Sequence, residues 1–62
     1  MKITDNLRKH INAALDFKRD SDIGYMLTDD DITNGIVMNS EGKVNYDQAE
    51  QILIAILIER KA

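Results

Sequence analysis

Apolar and polar positions alternate along the chain with a helical period, and each periodic stretch is introduced by the same short signature. Ile3-Thr4-Asp5, Leu27-Thr28-Asp29 and Val44-Asn45-Tyr46-Asp47 each place an apolar residue before a side chain whose oxygen can accept from a free first-turn N–H. An acid follows, suited to the positive end of a helix. The second signature is the most complete. With Thr28 as N-cap, Asp31 falls at the third helical position, a capping box with Asp in place of Glu, and Leu27 and Ile32 fit a hydrophobic staple. Asn45 with Gln48 makes a similar box. The pattern predicts an all-α domain of three helices, at about 4–19, 28–39 and 45–60, spanning residues 1–62 as one unit.

In helix 1, Leu7, Ile11, Ala14, Leu15 and the stem of Lys18 share one face. Asp5 is expected to pair with Arg8 or Lys9, and Asp16 with Arg19, at helical spacing. Residues 20–27 read as a loop pinned to the core by Ile23, Tyr25 and Met26. Helix 2 has a rival. Gly35 costs about 1 kcal/mol against alanine inside a helix. Ile36-Val37-Met38 and Lys43-Val44-Asn45-Tyr46 could instead form a β-hairpin at 36–46 around a type I turn, Asn39-Ser40-Glu41-Gly42. The helix is preferred, because the Thr28 start fixes a direction that the hairpin ignores.

The seven apolar residues Ile52 to Ile58 have a strand-like composition. Their polar lead-in and the Asn45 cap make them helical instead. On that helix Ala49, Ile52, Leu53, Ile56 and Leu57 form a broad stripe for packing on the other two, with Tyr46 at its rim. Ile54 and Ile58, at i and i+4, project on the far side beside Glu50 and Lys61. Scattered exposed apolar residues are ordinary. A stacked pair on the far side of a small three-helix domain instead marks an interaction face, with Leu57 at its edge, for a second copy or a protein partner.

Length and composition narrow the function classes. Sixty-two residues allow one domain with a thin core. There is no cysteine for a disulfide, thiolate metal site or nucleophile. The start lacks the apolar stretch of a secretory signal, and the seven-residue apolar run is far short of the ~20 residues of a membrane span. The expectation is a cytoplasmic domain with no membrane partner.

Charge is segregated. Residues 1–19 carry a net +3, residues 20–50 a net −7 and residues 51–62 a net +1, giving −3 for the chain. Helix 1 is largely self-neutralised and helix 3 offers no base before Arg60, so nucleic acid is not the expected partner. Asp29, Asp30 and Asp31 complement a helix dipole. Together with Glu41 and Asp47 they also form the runner-up surface, an acidic patch for a basic protein.

Catalysis has the weakest case: no glycine-rich phosphate loop, no nucleophile–base pair, no small-molecule substrate or cofactor signature. His10, the single histidine, sits at the edge of the helix 1 stripe. The stretch Leu27-Thr28-Asp29-Asp30-Asp31-Ile32, followed by Gly42-Lys43-Val44-Asn45-Tyr46, resembles parts of a calmodulin-type EF-hand, which implies calcium. With Gly42 at the loop glycine, Val37 stands at the first ligand position, Asn39 and Glu41 fall on ligand positions, and Gln48 replaces the closing Glu. A second frame, Asp30 to Glu41, puts Ile32 at a ligand position. Useful calcium affinity is not expected, and no metal ligand is assigned. The function that emerges is a small non-enzymatic regulatory or interaction module, with candidate contact residues Ile54, Leu57, Ile58, Asp29, Asp30 and Asp31.

Overall fold

The computed structural model describes residues 3–62, and among these every regular element is helical. Helix α1 runs Asp5–Asp20, α2 Asp29–Asn39 and α3 Tyr46–Lys61, with a short 3₁₀ turn, Gly24–Met26, between α1 and α2. The three caps lie where the sequence puts them. Thr4 accepts from the Leu7 N–H at 3.2 Å. Thr28 and Asp31 close a reciprocal capping box, as do Asn45 and Gln48. Each box satisfies two orphan donors of a first turn, which is why the chain reverses into a helix at that residue.

The core is one cluster: Leu7, Ile11 and Leu15 from α1, Ile32 and Ile36 from α2, Ala49, Ile52, Leu53 and Ile56 from α3. Ile11, Ile36, Ile52 and Ile56 are sealed from solvent. Beta-branched residues dominate although they are mediocre helix formers, so packing rather than propensity holds α3 helical. Two bridges fasten α1 to α3 at the rim. Arg60 donates to Asn12 Oδ1 at 2.8 Å and to Asp16 Oδ1 at 2.6 Å, while Arg8 pairs with Glu59. Arg8 thus reaches across the domain rather than back to Asp5. Asp16 does take Arg19, at 3.4 Å. These pairs are solvent-exposed and contribute at most about 1 kcal/mol each.

The β-hairpin alternative fails because residues 36–39 complete α2. The turn also differs from the type I turn read in the sequence. It is one residue later, with Lys43 N–H donating to Ser40 O at 3.2 Å. Glu41 at φ 57° and Gly42 at φ 80° are both left-handed, the mark of a type I′ turn. Ser40 holds its entry: its Oγ donates to Val37 O at 2.7 Å and accepts from Val44 N–H at 3.3 Å.

The 20–27 connection also departs from the sequence expectation. Ile23, Tyr25 and Met26 are not pinned to the core; all three are exposed. Gly24 is the buried residue, pressed on the end of α1, and Lys18 Nζ donates to Leu27 O at 2.6 Å across the loop. Backbone approach, one ammonium and the half-buried Leu27 at its end hold this loop, and Ile23, Tyr25 and Met26 do not.

Gly35 sits inside α2 against His10, whose Nε2 would lie 3.3 Å from an added Cβ. Because His10 is an exposed side chain, its ring can yield by a few tenths of an ångström. Gly35→Ala is therefore expected to stabilise the domain, recovering part of the ~1 kcal/mol that glycine costs mid-helix. A rise in thermal midpoint of about 2–5 °C would register it; a fall would mean that the His10 ring cannot move.

Candidate functional site

The outer face of α3 follows from how its inner face is used. With Ala49, Ile52, Leu53 and Ile56 turned into the core, the 3.6-residue period leaves Asp47, Gln51, Ile54, Ile58 and Lys61 pointing away from it. Ile54 is 56% exposed and Ile58 63%, one turn apart. Leu57 lies between the two faces, half-buried and packed against the core.

Next to this face lies a shallow groove of about 160 Å³ between the start of α2 and the middle of α3. Its walls bring together Asp29, Asp30, Tyr46, Glu50, Ile54 and Leu57. The apolar set and the acidic set, separate in the sequence, thus meet along one seam. Two of the six residues singled out from sequence fall outside the groove. Ile58 stands one turn beyond Ile54 on the outer face. Asp31 is turned back to its own helix start, where its Oδ2 accepts from the Thr28 N–H at 3.1 Å.

Thr33, Tyr46, Glu50 and Leu53 also line the groove and were not among the contacts expected from the sequence; Tyr46 and Glu50 are the exposed ones. The Tyr46 hydroxyl donates to Asp30 and joins the first turns of α2 and α3. That bond, then partial desolvation, then the nearby carboxylate charges push the phenol from 10.0 up to about 12, so it stays a neutral donor at ordinary pH. Asn34 donates to the other oxygen of Asp30 at 3.2 Å. The i, i+4 spacing of Tyr46 and Glu50 was visible, but the arrival of Asp30 beside them depends on how α2 packs against α3.

The electrostatics of the seam are one-sided. Among the described residues the ion pairs are Arg8–Glu59, Arg19–Asp16, Arg19–Asp20 and Arg60–Asp16. None involves Asp29, Asp30, Asp31, Asp47 or Glu50. The acids around the groove are hydrogen-bonded or solvated, with no cation of the described residues beside them.

The described residues contain no group of three or more carboxylate or imidazole side chains placed to hold a metal ion. The Asp30–Glu41 frame of the EF-hand resemblance is helical as far as Asn39, so these residues are not free to wrap around a cation. A second cleft, of about 240 Å³, opens between the first half of α1 and the α2–α3 turn, with Asn6, His10, Asn39, Glu41 and Lys43 on its walls. His10 Nε2 lies 3.4 Å from Asn39 Nδ2, and that amide also donates to Gly35 O at 2.7 Å. His10 therefore contacts the end of α2.

No described helix is long and apolar enough to cross a membrane. In comparisons with protein-family models, curated proteins and solved structures, the chain finds no match.

Proposed function

We propose that this chain is a small, cytoplasmic, non-enzymatic regulatory module that works by holding a protein, a second copy or another chain, on the outer face of α3. One observation carries the reading: Ile54 and Ile58 stand exposed one turn apart, beside the half-buried Leu57 and the groove between α2 and α3. Isolated exposed isoleucines need no explanation, but a stacked pair continuous with a third apolar residue is a patch. Fully burying an isoleucine contributes about 1.5–3 kcal/mol, against an association cost of ~4–15 kcal/mol. The pair alone therefore gives marginal binding, and Leu57 has to join it.

A second reading has its own support. The acids at Asp29, Asp30, Asp47 and Glu50 lack a cation among the described residues, which suits a basic protein surface. The two readings separate by salt, since exposed charge pairs are screened within ~8 Å at physiological ionic strength while apolar contact is not.

The double substitution Ile54→Asp with Ile58→Asp tests the main reading. Both positions are exposed, so helicity and thermal midpoint should stay within a few degrees of the parent. Self-association by light scattering and capture of protein partners should both be lost, at low and at high salt. Association unchanged by the two aspartates would sink the reading. Binding by the parent that collapses at high salt would favour the acidic rim as the working surface.

A further inference from the structure

Resting on the reading of α3 as a docking face, we propose that the occupant of that face is a second copy of this chain, with the two α3 helices antiparallel. The exposed positions Asp47, Gln51, Ile54, Ile58 and Lys61 are spaced four, three, four and three residues apart. That is the seam of a two-helix coil, turned outward. Its charge has a direction. Asp47 and Glu50 stand at the N-terminal end and Lys61 at the C-terminal end, and neither Glu50 nor Lys61 makes an ion pair among the described residues.

Parallel helices in register would set Asp47 beside Asp47 and Lys61 beside Lys61, which is repulsive at both ends. An antiparallel pair with its two-fold axis near Ile56 instead brings Glu50 of each copy close to Lys61 of the other. Ile54 of one copy then lies on Ile58 of the other, and Gln51 lies on Lys61 with Glu50 alongside. The two Leu57 side chains meet near the axis on one flank. Ala55, exposed and small, lies on the other flank and lets the backbones come close. The face is complementary to itself in this one direction, which is the property an isologous two-fold interface requires.

The chain has no cysteine, so introduced thiols can report the geometry directly. In the antiparallel pair, positions 51 and 61 of opposite copies share a layer. Like positions lie about 15 Å apart along the axis, five residues either side of it at ~1.5 Å per residue, beyond the ~7 Å that a disulfide spans. Gln51→Cys and Lys61→Cys chains, oxidised separately and mixed, should give cross-linked dimer in the mixture at least about tenfold above either alone. Unsubstituted chain should rise from monomer toward dimer in light scattering between about 10 µM and about 1 mM. Lys61→Glu should weaken that association about tenfold, since two symmetric exposed pairs are lost, and Glu50→Lys added to it should restore it.

Cross-linking of Gln51→Cys chains with themselves in preference to the mixture would overturn the antiparallel arrangement. Monomer throughout the concentration range would overturn self-pairing altogether. If such a monomer still captured a different protein, and lost it on Ile54→Asp with Ile58→Asp, the docking face would stand with another occupant.

Discussion

Gly24→Ala is expected to destabilise the domain by at least about 3 kcal/mol, lowering the thermal midpoint by more than about 12 °C or abolishing the cooperative transition. After α1 ends at Asp20 the chain doubles back on it, with Ser21 N–H donating to Phe17 O at 3.0 Å and Gly24 N–H to Ser21 O at 2.9 Å. A Cβ on Gly24 would stand 2.3 Å from Lys18 O and 2.6 Å from Phe17 O. Both obstacles are backbone atoms of a helix, so no rotamer change relieves the contact. The 3₁₀ turn would have to lift off α1, which would also pull Leu27 O away from Lys18 Nζ. A folded chain of this length has a total stability of only about 3–9 kcal/mol, so the loss is comparable to the whole. Gly42→Ala is the control. Gly42 has a left-handed φ of 80° but nothing within 4 Å of an added Cβ, so it should cost only about 1–2 kcal/mol of backbone strain. If chemical denaturation shows the two substitutions to be equally costly, the close approach at Gly24 is not what limits that loop.

Ile11→Ala is expected to cost about 2–5 kcal/mol, and Ile54→Ala less than about 0.5 kcal/mol, although both residues are isoleucines in long helices. Ile11 is 0% exposed and belongs to the core cluster that α1 shares with α2 and α3. Truncation there removes transferred apolar surface and leaves a cavity that the helices, fastened by the Arg8–Glu59 and Arg60–Asp16 bridges, cannot fully close. Ile54 keeps more than half its surface in water, so little burial is lost. Urea titrations of the two variants under monomeric conditions check the contrast. A cost at Ile54 close to that at Ile11 would mean that Ile54 is part of the core, removing the reason to read it as a contact surface.

The three helix starts were legible because each depends on local atoms: a hydroxyl or amide oxygen, and a first-turn N–H three residues on. Local chemistry at Thr4, Thr28 and Asn45 decides these wherever the helices later pack. The inner and outer faces of α3 were legible for a similar reason, since burying Ile52 and Ile56 obliges Ile54 and Ile58 to point away. The loop anchoring was misread because apolar character at Ile23, Tyr25 and Met26 suggests burial, while the real constraint is the absence of a side chain at Gly24. The type I′ turn was missed because Glu41 is an unusual residue for a positive φ, and the Ser40 hydroxyl that fixes the turn's entry acts through geometry.

The sequence by itself therefore determined the class of the fold, where its helices begin and which side of each is apolar, because caps and periodicity act within a few residues. Tertiary structure decided which surfaces became neighbours. It brought Asp30 to Tyr46, joined the acidic start of α2 to the apolar seam of α3, drew Arg8 away from Asp5 to Glu59, and pressed Gly24 onto the end of α1. Each of these depends on how far apart two packed helices lie and how they are rotated about their axes, which the summed volumes of Ile11, Ile36, Ile52 and Ile56 set together and no single segment encodes.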